Sequence, residues 1–498
     1  MTTKHRMTRR QALQMGSAAA LWVACSGGPK GAAQDAGPDA AQDVATVPDT
    51  AAPRDRTGAQ SLLEWIFETP AEDLVAVAVE RLNGGLAYSD LIAGMLAATV
   101  TPAPLEMHRR AGIFSAHQLG RELAPRNDLP LMYALLRLKS ELGPFTAVDP
   151  IAVVGAPGPA ELTAALESWD ASASANAVAA LVQSGQLIAA QDILFEFGAR
   201  NYNWIGHTTI DVVQTLRTLA FSGWFEPEAA LTALTDKLCN SDTKVVDAFE
   251  RNQELALGLP EDWAAGTPDE GAALELLAGL RSATPQDAVN AAIGQLQSGV
   301  APASLWEACR LAAAELTLRF PFEGWIKFPM HAVTTNNALR HAFDTTSSDR
   351  LQRLLLLQAV AFLPQNRDMC LGHNGENPDT SWHLDAMTPA PDIEPSLDDV
   401  FEALSTSRSD AISVALAHLD QGGDPQAFIA RFRDSAYPTL LEEHQVKHPV
   451  AAFEEAGLAA PTWRNRLLAA AFHYGVEPTH KPWTSHDAVV AALTDLTV

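Results

Sequence analysis

The chain has 498 residues, 34 Lys+Arg against 60 Asp+Glu, a formal net charge of −26, and 47% hydrophobic residues. Such an acidic surplus, with no basic run after residue 10, excludes a nucleic-acid binder, because phosphate backbones are held by clustered cations. Length and apolar content suffice for a large globular core.

Residues 1–25 read as an export segment: Lys4, Arg6, Arg9 and Arg10 precede a short apolar stretch from Ala18 to Ala24. Thr8-Arg9-Arg10-Gln11-Ala12-Leu13 resembles a twin-arginine signal, and the apolar stretch is too short to span a membrane. It ends in Leu21-Trp22-Val23-Ala24-Cys25, which resembles a lipoprotein signal whose cysteine is lipidated and becomes the mature N-terminus. An ordinary cleaved signal is the alternative. Residues 26–57 are rich in Ala, Asp, Pro and Gly and cannot bury enough surface to offset ordering entropy, so they are expected to form a flexible tether. The expected location is the periplasm or cell envelope, with the protein anchored to a membrane surface through Cys25.

The folded part, residues 58–498, is expected to be all-α, a multi-helix bundle or α/α superhelical body. Ala, Leu, Glu and Gln dominate, and Gly or Pro punctuates segments of helix length. Asp128-Leu129-Pro130 opens one helix, with Pro130 near its first turn. Residues 207–222 form another, stopped by Gly223. A third runs from Arg350 to Leu363, and its Leu354-Leu355-Leu356-Leu357 run marks it as buried. Residues 258–271 are either a sub-boundary or a surface loop, and a long polar loop is expected at about 364–395. Cys239, Cys309 and Cys370 have no paired spacing, so at least one stays unbridged or pairs between chains.

No GxGxxG, P-loop, HExxH, GxSxG or paired ExxH motif is present, which leaves histidine as the candidate chemistry. His207 follows Gly206 and falls in a first helical turn, where the positive dipole end keeps the ring neutral, as a metal ligand or general base must be. A histidine capping a helix is the structural alternative. His331, Thr334 and Asn337 share a face and can form one hydrogen-bonded stripe, lining a pocket or locking two helices together. His444 and His448 have the i, i+4 spacing of paired ligands, although Pro449 disfavours helical geometry at His448. His108 and His117, nine residues apart, face different ways on one helix, so one at most belongs at a shared centre. Cys370 with His373, and His383 with Asp385, are expected to be structural.

In their order along the chain, His108/His117, Gly206-His207, His331-Ala332-Val333-Thr334 and His444 with Lys447 resemble exported bacterial helical proteins. More distantly they resemble the questin oxidase-like family, whose fungal namesake is an NADPH-dependent oxygenase that opens an anthraquinone ring. The likeness runs in patches over residues 105–475 and is most specific at His331 to Arg340. It implies an oxidoreductase, an oxygenase acting on a bulky aromatic or apolar small molecule, with His117, His207, His331, His444 and Lys447 as candidate catalytic residues. The four histidines are also the candidate metal ligands, for iron, copper or zinc; haem is a further cofactor possibility, and NADPH enters by analogy with the family. The competing expectation is a non-catalytic helical lipoprotein that binds a partner or a hydrophobic ligand.

Overall fold

The computed structural model describes residues 63–101, 104–105, 107–146, 149–202, 205–240, 247–320, 328–374, 379–437, 443–475 and 483–498. The export segment, Cys25 and the tether expected at 26–57 lie outside the described residues.

Helix formers between Gly and Pro stops fold here into successive helices, and no strand occurs among the described residues beyond one isolated bridge between Thr267 and Val300. The body is all-α, as its composition indicates. Six helices make its centre: α1 (Met107–Arg121), α2 (His207–Phe221), α3 (Pro302–Arg319), α4 (Phe328–Thr345), α5 (Asp349–Asn374) and α6 (His444–Leu458). Helix α2 packs on α1 and α4, and α6 closes the ring by packing on α4 and α1. Helices α3 and α5 lie against α4. One apolar cluster runs from Trp65 to Val489 and takes in residues on both sides of 258–271. Among the described residues no helix is long and apolar enough to cross a membrane.

Two prolines do not end helices where the sequence suggested. Helix α5 continues through Pro364 to Asn374, so the polar loop expected at about 364–395 loses its first part. Pro364 removes one helical hydrogen bond, but the run from Leu354 to Leu363 is buried, and packing outweighs that local loss. Of the remaining stretch, the described residues 379–396 hold only a 3-10 turn, Leu384–Ala386. Pro449 likewise sits inside a continuous α6.

The turn before α2 is fixed by three side chains. Thr208 Oγ1 donates to the carbonyls of Gly198 (3.1 Å) and Asn201 (3.1 Å), and Thr209 Oγ1 donates to that of Gly198 (2.9 Å). These bonds satisfy carbonyls that the preceding helix leaves open. Gly206 takes φ +80°, and Thr335 of α4 presses on it while donating from Oγ1 to the Ile205 carbonyl at 2.9 Å. A Cβ at 206 would collide with the Thr335 side chain. Gly206→Ala is therefore expected to lower stability by about 2 kcal/mol through the left-handed backbone and the clash, read as a shift in the urea midpoint.

Candidate metal centre

Each helix of the closed ring α1–α2–α4–α6 contributes one buried imidazole to a single cluster. His108, His207, His331 and His444 are 0%, 7%, 1% and 4% exposed. Their ring centroids form a circuit of 5.7 Å (His108–His207), 4.9 Å (His207–His331), 5.3 Å (His331–His444) and 5.8 Å (His444–His108), each pair edge-on. His207 Nε2 and His331 Nε2 face each other at 3.1 Å. Without an ion, that contact is a hydrogen bond from one neutral tautomer to the other. With one, both nitrogens are ligands: a tetrahedral ion 2.0–2.1 Å from each donor separates donors by roughly 3.3 Å and ring centroids by about 5 Å. His207 and His331 fit two positions of such an ion, whereas no three of the four rings bring their nitrogens within 4.8 Å of one another, so His108 and His444 complete the shell only by turning toward it. Imidazole donors suit iron, copper, zinc or nickel.

All four histidines lie in the first turn of their helices: His108 second in α1, His207 first in α2, His331 fourth in α4 and His444 first in α6. The positive ends of four helices therefore converge where the rings meet. Burial holds His108 well below the usual imidazole range, and the Lys447 charge adds to this. Burial does the same for His207, reinforced by His331. Both rings are thus neutral near pH 7 with a lone pair to offer. Lys447 is fully buried, three residues beyond His444 on the same side of α6.

Buried charges tie the ligand helices together. Arg110 Nε and Nη2 grip Asp211 at 3.1 and 2.6 Å, joining α1 to α2 two residues past His108 and one turn past His207. Asn337 Nδ2 donates to Glu454 (2.9 Å) and Glu455 (2.8 Å), joining α4 to α6. Arg310 Nε of α3 donates to Glu455 at 3.1 Å. Arg109, beside His108, forms an ion pair with Glu443, beside His444.

The face carrying His331, Thr334 and Asn337 divides its roles. His331 joins the cluster, Thr334 Oγ1 turns back to the Met330 carbonyl at 3.3 Å, and Asn337 locks two helices.

The expectation of His117 at the centre is corrected. Nine residues of helix turn the chain by about 900°, so His117 points away from the side that carries His108. It is buried elsewhere, with Nε2 2.9 Å from Glu122 Oε1 and its ring 4.1 Å from that of Phe221. His108, passed over in favour of its neighbour, takes its place beside His207, His331, His444 and Lys447. The remaining candidates that are described, His448, His383 with Asp385, and Cys370, stay outside the ring circuit, while the His373 side chain lies outside the described residues. His448 packs on Tyr474 with centroids 4.7 Å apart. His383 and Asp385 lie with Glu315, whose carboxylate is already gripped by Arg281 and Arg319. Cys239, Cys309 and Cys370 are buried and unbridged, and burial raises the Cys370 thiol far out of reach of ionisation near neutral pH.

His448 supplies a pH test. Neither of its ring nitrogens has a hydrogen-bond partner among the described residues, and burial pushes its pKa down to about 3. The unfolded ring takes up a proton near pH 6.5 and the folded ring refuses it. Stability is therefore full above that pH and lost as pH falls toward 3, with about 2 kcal/mol gone by pH 5. In His448→Leu, the fall in the urea midpoint between pH 7 and pH 5 is expected to be shallower by that amount than in the parent.

A narrow crevice lined by Pro130, Tyr133, Ala134, Tyr437 and Val446 reaches His108. Comparison with protein-family models, with curated proteins and with solved structures finds no match for this chain.

Proposed function

We propose that this protein is a metal-dependent oxidoreductase, an oxygenase of questin oxidase-like type, acting on a bulky aromatic or apolar molecule. The observation that carries the reading is the closed circuit of four buried, first-turn imidazoles, with His207 Nε2 3.1 Å from His331 Nε2. His207 and His331 would hold the ion, and His108 and His444, whose rings adjoin theirs, would complete its shell by turning their nitrogens toward it. Iron or copper bound there supplies one-electron chemistry toward dioxygen, which imidazoles alone lack.

The chain's own groups do the rest. Four helix N-termini favour an anion at the centre, such as the deprotonated hydroxyl of a phenolic substrate. The crevice at His108, lined by Tyr133, Tyr437 and Val446 but also by Arg109, Arg137 and Glu443, has a volume of only about 20 Å³, so a bulky substrate would enter only once it widens. Lys447 places an amine there for proton transfer to or from the substrate. The same reading has the protein exported by the twin-arginine route, which carries folded proteins, and held at the cell envelope by Cys25. Support for that lies in Thr8-Arg9-Arg10-Gln11-Ala12-Leu13 and the Cys25 context.

Elemental analysis of the purified protein tests the proposal. About one iron or copper per chain is expected, with oxygen uptake on hydroxylated anthraquinones when NADPH is supplied as the two-electron reductant, and a melting temperature that falls in chelator. Zinc alone would remove the oxygenase. No stoichiometric metal, with an unchanged melting temperature in chelator, would remove the metal centre altogether. The second reading, a lipoprotein that binds a hydrophobic ligand without turning it over, draws on a separate cavity of about 740 Å³.

A further inference from the structure

Tyr88, His117 and Glu122 form a hydrogen-bonded line apart from the four clustered imidazoles. Tyr88 opens the helix Tyr88–Ala98, His117 lies near the end of α1, and Glu122 follows in the turn after it. His117 Nε2 stands 2.9 Å from Glu122 Oε1, and its Nδ1 stands 3.4 Å from the Tyr88 hydroxyl. Burial alone would raise the Glu122 carboxyl, but hydrogen bonds from His117 and Gln118 hold it below its usual range, so it is ionised and only accepts. Nε2 therefore carries the proton, and Nδ1 offers its lone pair to the Tyr88 O–H. A carboxylate behind an imidazole that faces a hydroxyl is the arrangement by which proteins make that imidazole a proton acceptor.

The surroundings of Tyr88 select the chemistry that this acceptor serves. Burial pushes the Tyr88 hydroxyl far above its usual range, so loss of the proton alone is unfavourable. The Arg121 guanidinium lies over the Tyr88 ring, 3.5 Å from the centroid, and Asp128 holds it there through a hydrogen bond of 2.6 Å. A cation on the ring face opposes positive charge in the ring, so an electron leaves only if the hydroxyl proton leaves with it. His117 is in place to take that proton. Phe114 and Phe221 pack on the His117 ring with centroids 5.3 and 4.1 Å away, and Phe221 meets Tyr88 edge-on at 6.3 Å, an apolar setting that shelters a phenoxyl. The hydroxyls of Tyr202 and Tyr437 have no hydrogen-bond partner among the described residues and so lack such an acceptor. His117 shares α1 with His108, nine residues and about 13.5 Å away along the axis.

We propose that Tyr88 is a redox-active side chain: it gives one electron to a one-electron oxidant while its hydroxyl proton passes to His117 Nδ1, leaving a neutral phenoxyl radical beside an imidazolium paired with Glu122. Re-reduction returns the proton. The inference goes beyond the oxygenase reading and rests on it in one respect, the oxidised iron or copper that would draw the electron. A centre behind so narrow a crevice could in this way discharge an oxidising equivalent when no substrate has entered.

Flash-quench oxidation of the purified full chain by a ruthenium tris-bipyridine complex tests the tyrosine without requiring a metal in the protein. A neutral tyrosyl radical is expected by electron paramagnetic resonance, identified by the narrowing of its spectrum in protein carrying ring-deuterated tyrosine. Tyr88→Phe is expected to remove most of that signal and Tyr202→Phe to leave it. Its formation is expected to be slower in heavy water, and to slow at least about ten-fold in His117→Ala and in Glu122→Gln. Glu122→Gln keeps the side chain's shape, so it reports even where His117→Ala fails to fold. A tyrosyl signal undiminished in Tyr88→Phe, or a rate unchanged in folded Glu122→Gln, would overturn the proposal. A protein that yields the Tyr88 radical and holds no metal loses the proposed centre and keeps this site; one that holds iron or copper and yields no Tyr88 radical loses this site and keeps the centre.

Discussion

Arg110→Met is expected to destabilise the protein by about 3–5 kcal/mol, because it leaves the Asp211 carboxylate buried and uncompensated. Both side chains are almost fully buried, and the guanidinium meets the carboxylate through two hydrogen bonds of 3.1 and 2.6 Å. No solvent is at hand to replace them. The double variant Arg110→Met/Asp211→Leu removes both charges and is expected to recover most of the loss, since a buried pair and an apolar pair of similar volume are close in free energy. Urea midpoints of the two variants measure this. A single-variant cost below about 1 kcal/mol would mean that Asp211 is protonated or hydrated once its partner has gone. Metal content adds a second readout: the pair sits beside His108 and His207, so the double variant is expected to be stable yet to hold its ion more weakly.

His331→Ala is expected to lower metal occupancy more than ten-fold in a protein that remains folded. His331 closes the circuit through both neighbours, at 4.9 Å to His207 and 5.3 Å to His444, and its Nε2 is the group facing His207 Nε2. Chelator should no longer change the melting temperature of this variant. His117→Ala is the matched control: a buried histidine is lost from α1, but one paired with Glu122 and packed on Phe221, so metal content is expected to stay at the parental level. Equal metal in His331→Ala and the parent would show that the ion sits elsewhere.

Much of the helical plan was readable because it rests on local rules. The stop after residue 222, the opening at Asp128-Leu129-Pro130 and the burial of Leu354 to Leu357 all follow from spacing and breakers, and the helices obey them. Pro364 and Pro449 misled because a proline rule weighs one hydrogen bond, whereas packing along the whole of α5 or α6 decides the outcome. The choice of His117 over His108 failed for a related reason. Helix α1 is buried on nearly every side, so hydrophobic periodicity could not say which of its faces turns inward to the other imidazoles. A signal was present all the same. Arg110 lies two residues after His108 and Asp211 one turn after His207, and two opposite charges inside apolar helices need each other, which would have tied His108 to His207.

The histidines of the cluster stand at positions 108, 207, 331 and 444, roughly a hundred residues apart, on helices that touch only in the finished ring. Contacts of such sequence separation form late, after loop closure across most of the polypeptide. If the cluster binds an ion as proposed, a nascent chain still short of residue 444 presents an incomplete donor set, and capture would wait for α6 to be made and docked. On that reading, loading would report the docking of α6, and a truncation upstream of α6 is expected to yield a protein that binds the metal far more weakly.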